Sequence, residues 1–184
     1  VSFLLVVIVG IGLGFLIWAI FVFNSLVRKR NRVNNAWADI NVQLKRRYDL
    51  IPNLVEVVKG YKEYEVLVLE NIVKARAKAM SEESVALKAQ AEEVLSNSLR
   101  NLFAVAENYP QLKSSENFQK LQAQLSALEN DIQSARIYYN AAVRELNNSI
   151  QVFPSSIIAK IFNFKKFEFF GVEEKVKDTI QVSF

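Results

Sequence analysis

The stretch Val33-Asn34-Asn35-Ala36-Trp37-Ala38-Asp39-Ile40-Asn41-Val42-Gln43-Leu44-Lys45-Arg46-Arg47-Tyr48-Asp49-Leu50-Ile51-Pro52-Asn53-Leu54-Val55-Glu56-Val57-Val58 decides the fold. Val33, Trp37, Ile40, Leu44, Tyr48, Ile51, Val55 and Val58 recur in steps of four and three, which lines them along one face of a helix packed on other helices. The same spacing resumes through Val68, Ile72 and Ala75. Pro52 lies inside the pattern and removes one backbone hydrogen bond, so the spacing predicts a single kinked helix over about 27–79 rather than two helices.

Further along the chain, Gly60, Gly171, Pro52, Pro110 and Pro154 are the only helix-breaking residues beyond position 27, so long helices are expected. Ser81 followed by Glu82 and Glu83 reads as a helix start, because a hydroxyl can accept an orphan amide and acids favour the positive end of the helix dipole. The second helix then runs over 81–109 with Leu87, Ala91, Val94, Leu95, Leu99, Leu102, Val105 and Ala106 as its stripe, and stops at Tyr109-Pro110. A third, over 114–153, carries Phe118, Leu121, Leu125, Leu128, Ile132, Ala135, Tyr139, Ala142, Leu146 and Ile150, with Glu129 on its exposed side. Residues 155–162 read as a short helix. Phe162, Phe164, Phe167, Phe169 and Phe170 then crowd nine positions and need cover: they cap the bundle, the ordinary fate of apolar side chains, or meet another subunit, or touch lipid. The tail over 171–184 shows only a weak alternation at Thr179-Ile180-Gln181-Val182, the pattern of a short strand. The expected class is all-α, a spanning helix followed by a bundle of long helices over 28–170.

Towards the N-terminus, residues 1–27 contain no charged side chain, and Arg28-Lys29-Arg30-Asn31-Arg32 follows at once. At about 1.5 Å per residue, some 20 apolar residues cross the roughly 30 Å of a bilayer's hydrocarbon core. A cleaved leader needs a basic start, a shorter apolar run and small residues at its end, whereas Trp18, Phe21 and Phe23 stand there, so a retained anchor is expected. The chain begins with Val1 rather than an initiator Met, which leaves room for a short outward extension. Arg28, Lys29, Arg30 and Arg32 form the membrane-surface basic group; cations beside a span stay on the cytoplasmic side, placing the N-terminus outside and the rest in the cytoplasm. Within the anchor, Gly10 and Gly14 have the Gly-x-x-x-Gly spacing that lets two spanning helices approach closely. Trp18 reads as an interfacial anchor and Trp37 as core filler.

Charge and composition exclude more than they assign. The chain is +4 overall, and residues 28–47 hold seven Lys or Arg (28, 29, 30, 32, 45, 46, 47) against Asp39, so the remainder is net negative. A nucleic-acid binder concentrates its cations on the body that meets phosphate; these cations cluster beside the membrane and suit anionic lipid headgroups instead. With no cysteine there is no disulfide, thiolate metal site or thiol redox chemistry. With no histidine the commonest general base and transition-metal ligand are both missing, which excludes Ser-His-Asp and Cys-His nucleophiles and the Glu-x-x-His pairs of di-iron bundles. No cofactor is expected. Lys45, Arg46 and Arg47, beside Pro52, could hold a phosphate or headgroup; the simpler reading is a weak Lys45–Asp49 pair with the other cations solvated or gripping a neighbouring helix. Glu63, Glu65 and Glu70 read as a solvated helix face.

The run Asn34 to Val55 with Glu56-Val57-Val58-Lys59-Gly60-Tyr61, joined by Ala75-Arg76-Ala77, Tyr139-Asn140 and Asn147-Asn148-Ser149-Ile150-Gln151-Val152-Phe153-Pro154 with the aromatic tail, resembles the signature of the LemA family. The resemblance implies a bacterial protein of the inner membrane with one N-terminal span, a short outward N-terminus and a cytoplasmic antiparallel helical bundle. It implies no established enzyme activity and supplies no catalytic residue. Tyr64 stands where relatives often place His, which argues against a metal there. The function expected from all this is a non-enzymatic scaffold that self-associates at the membrane, with a monomeric adaptor or sensor as the alternative. The expected partners are membrane lipids, further copies of the chain, and another membrane or cytosolic protein, with no nucleic acid.

Overall fold

In the computed structural model, which describes residues 2–60 and 66–171, every regular element is a helix. They are α1 (Ser2–Lys59), α2 (Val66–Ser81), α3 (Val85–Ala106), α4 (Pro110–Lys113), α5 (Glu116–Gln151) and α6 (Ser155–Ile161). The all-α expectation holds among these residues.

Three boundaries differ from the expected ones. The span and the first bundle helix form one continuous helix, because nothing between Val27 and Val33 breaks it: Arg, Lys and Asn all propagate a helix. At the other end, the expected helix over 27–79 is two helices. Pro52 is accommodated inside α1, and α1 stops at Lys59, where the Gly60 amide makes the last bond, to the Glu56 carbonyl at 3.3 Å. A Cβ on Gly60 would stand 3.3 Å from the Val57 carbonyl oxygen, a tight approach that glycine avoids. Ser81 ends α2, its hydroxyl donating back to the Lys78 carbonyl at 2.9 Å, while Ser84 caps α3 and accepts from the Leu87 amide at 3.5 Å. Tyr61, Glu63, Tyr64, Glu65 and the suggested strand at Thr179–Val182 lie outside the described residues.

The chain divides into two compact units, Val1–Asn41 with Ala135–Phe167, and Val42–Ser134 with Glu168–Phe184. In the first, Lys29 meets Ser149, Arg32 meets Glu145 and Trp37 meets Tyr139, so α1 and the end of α5 run antiparallel. In the second, Tyr48 meets Ala79, Ala79 meets Lys88 and Phe103 meets Phe118, a succession of helices each reversing the last.

The stripes read from sequence are the buried faces. Val33, Ile40, Leu44, Tyr48, Ile51, Val55 and Val58 are buried on α1, and Phe118, Leu125, Leu128, Ile132, Tyr139, Ala142 and Leu146 on α5. Each such Leu, Ile or Val contributes about 1.5–3 kcal/mol relative to exposure. On α3 the stripe needs correction: Leu87 and Val94 are exposed, and Glu92 and Ser96 are buried in their place.

Candidate functional site

Two sites are built on α1. The first follows the apolar stretch. Phe3, Leu4, Leu5, Ile8, Ile11, Leu13, Leu16, Ile17, Ile20 and Phe21 are all exposed, an uncovered apolar surface more than four turns long on a helix long and apolar enough to cross a membrane. Gly10 and Gly14 have open space where a Cβ would be. Phe15 and Trp18 stack at 5.3 Å between ring centroids.

At the end of this stretch the structure sorts the four expected surface cations into two kinds. Lys29 donates to Ser149 Oγ at 2.6 Å and lies 3.4 Å from Glu145 Oε1, and Arg32 Nη1 donates to Glu145 Oε2 at 2.7 Å. These two hold α5. Arg28 and Arg30 are exposed, and the Arg30 guanidinium rests 5.4 Å from the centre of the Phe164 ring, a cation–π contact. Phe162 and Phe164 in turn pack on Phe23, with centroids 4.6 Å and 6.0 Å away.

The chain reaches this position by a helix-ending turn that the sequence encodes. Asn163 adopts a left-handed backbone (φ 52°), which Asn tolerates better than most residues. It lets the Asn163 amide bond the Lys160 carbonyl at 3.2 Å and the Phe164 amide bond the Ala159 carbonyl at 2.9 Å, the Schellman pattern. Asn147 then clamps the extended segment that leaves: its Nδ2 donates to the Phe167 carbonyl at 2.9 Å and its Oδ1 accepts the Phe167 amide at 3.0 Å. The five phenylalanines do not share one fate. Phe170 is buried, Phe164, Phe167 and Phe169 are half-buried, and Phe162 remains largely exposed.

The second site is polar and buried at its centre, with the Glu129 side chain, 45% exposed, at its solvent edge. Arg47 is only 1% exposed, and Glu92 only 4%. Its guanidinium donates to Glu92, to Glu129 at 2.6 Å and to Ser96 Oγ at 2.8 Å, while Ser96 donates to Glu129 at 3.0 Å. Tyr48 donates its hydroxyl to the second oxygen of Glu92. Burial first, and then the Glu92 carboxylate as hydrogen-bond partner and nearby negative charge, push the Tyr48 phenol well above the ordinary tyrosine range. The cluster ties α1 to α3 and α5. The expected anion-binding group Lys45, Arg46 and Arg47 is therefore split: Lys45 and Arg46 are exposed, but Arg47 turns inward because it shares the 3-4 spacing of Val33, Ala36, Ile40, Ile51, Leu54 and Val58. Lys45 and Asp49 form no ion pair, and Glu129 is a partner of the cluster rather than an idle surface acid.

A third arginine repairs α1. Pro52 has no amide hydrogen, so the Tyr48 carbonyl four residues earlier lacks its helical donor. Arg76 of α2 supplies one: its Nε donates to that carbonyl at 2.8 Å. Ile51, Pro52, Val55, Glu56, Lys59, Val73 and Arg76 line a shallow groove there. Glu70, expected on a solvated face, is exposed and pairs with Lys74 at 3.2 Å.

Comparison with known proteins adds the family. The LemA family model matches residues 36–184. Protein LemA of Metamycoplasma hominis is 26% identical over 167 residues, covering 86% of this chain and 74% of that protein. Magnetosome protein MamQ 2 of Paramagnetospirillum magneticum is 35% identical over 83 residues, and magnetosome protein MamQ of Magnetospirillum gryphiswaldense 32% over the same length. Those alignments cover 45% of this chain and 30% of each magnetosome protein.

Proposed function

This chain belongs to the LemA family, and on that premise we propose that it is a non-enzymatic, single-pass protein of the bacterial cytoplasmic membrane whose helical domain is a cytoplasmic scaffold, self-associating into a membrane-bound assembly. The observation that carries the reading is the uncovered apolar surface of α1 ending directly in Arg28 to Arg32. Water-soluble proteins rarely leave so long an apolar surface bare, and cations at one end of a span favour the cytoplasmic side for that end, which supports this reading. Gly10 and Gly14 support self-association: a groove without side chains lets two spanning helices come into close van der Waals contact, the main attraction between helices in lipid.

The mass of the particle extracted in mild detergent tests the assembly. A discrete multimer that dissociates in the Gly10→Leu/Gly14→Leu variant, with helicity unchanged, is the expected result. A multimer indifferent to both substitutions moves the interface off the anchor. A monomeric parent sinks the scaffold and promotes the adaptor, for which the adjacent exposed Ile137 and Tyr138 on α5 offer a contact surface. Orientation is tested separately by placing a cysteine at Ser115: a thiol reagent that cannot cross the membrane should leave it unlabelled in intact cells.

A further inference from the structure

We propose that the turn and short helix at the end of α5, residues 152–162, form a second membrane contact: α6 lies in the headgroup layer of an anionic leaflet, beside the point where α1 leaves it. The inference rests on the reading of α1 as a membrane span and adds a surface that the span itself does not require.

Three observations carry it. First, the exposed apolar residues here are concentrated and ordered: Phe153 is 76% exposed, Ile161 67% and Phe162 55%. Ile157 and Ile161 stand four apart on α6, one side of the helix, while Ile158 and Ala159 are buried on the other, and Phe153 is exposed in the turn just before α6. A helix with one face against protein and an apolar face left bare is the arrangement of an interfacial helix, which sinks about 5–10 Å into the headgroup and acyl boundary.

Second, the position fits that depth. Phe162 and Phe164 touch Phe23, which belongs to the uncharged segment and lies about 7 Å along the helix axis before Arg28. If Phe23 is in the last turn of the span, the end of α6 lies at the same level. Third, the charges are of one sign. Residues 152–167 contain Lys160, Lys165 and Lys166 and no acid, Arg30 reaches the Phe164 ring in their midst, and Arg28 is exposed two residues before it on α1. Each cation near an anionic surface contributes about 1 kcal/mol of attraction, and the same charges would disfavour an apolar patch that had to meet a second copy of itself.

Because these 184 residues contain no cysteine, single-cysteine variants can be labelled with an environment-sensitive fluorophore. The full chain is reconstituted in vesicles of phosphatidylcholine and phosphatidylglycerol, with labels in turn at Ile161, Phe153, Leu13 and, as an exposed control on α5, Ala141. Nitroxide-bearing lipids are then added with the quencher high or low on the acyl chain. The expected result is blue-shifted emission at Ile161 and Phe153, quenched more by the shallow nitroxide, with Leu13 quenched more by the deep one and Ala141 quenched by neither. Aqueous emission at Ile161 and Phe153 together with a deep Leu13 overturns the second contact and leaves the span intact. Blue-shifted emission that no lipid quencher reaches means that protein covers the patch, and also overturns it. An aqueous Leu13 overturns the span, and this proposal with it.

Discussion

Two arginines on one helix are treated in opposite ways. Arg30 stays at the surface with its charge over the Phe164 ring, and Arg47, about 25 Å further along α1 at 1.5 Å per residue, is withdrawn from water between two carboxylates. The difference lies in what each position faces. At Arg30 the neighbour is the half-buried Phe164 ring, and an exposed cation costs little there. Position 47 falls on the packed face, where an unpaired charge would be prohibitive, and the cost is offset because α3 and α5 bring Glu92, Ser96 and Glu129 to meet it. The first unit thus joins α1 to α5 by apolar contact and exposed ion pairs, and the second joins α1, α3 and α5 through a polar knot buried at Arg47 and Glu92.

Removing the two cations should therefore give very different results. Arg47→Met leaves Glu92 buried without its cation and should destabilise the full chain in detergent by about 3–5 kcal/mol. Arg30→Met should change stability by less than about 0.5 kcal/mol. Thermal unfolding followed by helix circular dichroism measures both. Adding Glu92→Gln to Arg47→Met should recover part of the loss, since it removes the stranded charge. Equal, small shifts for the two arginine variants would mean that the knot is open to water.

Tyr48 provides a smaller effect with a pH signature. Its phenol is raised in the folded state, so its contribution is fully present below the unfolded value of about 10 and is lost as pH rises above it. Between about pH 10 and the folded value the unfolded chain has released the proton and the folded chain has kept it, so stability falls by up to about 1.4 kcal/mol per pH unit. Tyr48→Phe cannot titrate. Its melting temperature should lie below the parent's at about pH 8, by the loss of roughly 1 kcal/mol of hydrogen bonding, and overtake it in strong alkali. A constant gap between parent and variant across that range would place Tyr48 in water rather than against Glu92.

The sequence made the helices legible and the polar knot only in retrospect. The faces of α1 and α5 are legible because apolar residues at 3-4 spacing have one common cause, burial against another helix. The reversal between α1 and α2 was hidden for the same reason: Val68, Ile72 and Ala75 continue the pattern whether the chain runs on or folds back, since periodicity carries no direction. Gly60 was the available sign, and one glycine is weak evidence against a proline in the same pattern. Arg47 was hidden by its neighbours, because Lys45-Arg46-Arg47 reads as a solvated run until each residue is placed on the helical face. Arg47 shares the face of Ile40, Ile51 and Leu54, and Glu92 that of Leu95, Leu99 and Leu102, so opposite charges on two apolar stripes were the signal. The turn after α6 depends on Asn147, Asn163 and Phe23, residues 16 to 140 positions apart whose meeting no local pattern announces.

Arg76 stands between the two extremes, half-buried and bonded to a carbonyl rather than a carboxylate, and it permits the sharpest test of how α1 tolerates Pro52. If Arg76 replaces the amide that Pro52 lacks, the two positions must be energetically coupled. Arg76→Met should destabilise the parent by about 1 kcal/mol, the usual loss when a buried acceptor gives up its donor. In a Pro52→Ala background the alanine amide can bond the Tyr48 carbonyl itself, so the same Arg76→Met change should cost markedly less. The cycle subtracts whatever Pro52→Ala does alone, including any gain from relieving the proline, and leaves a coupling of about 0.5–1 kcal/mol. Zero coupling would mean that the 2.8 Å bond is incidental and that Arg76 serves α2 by its aliphatic stem alone.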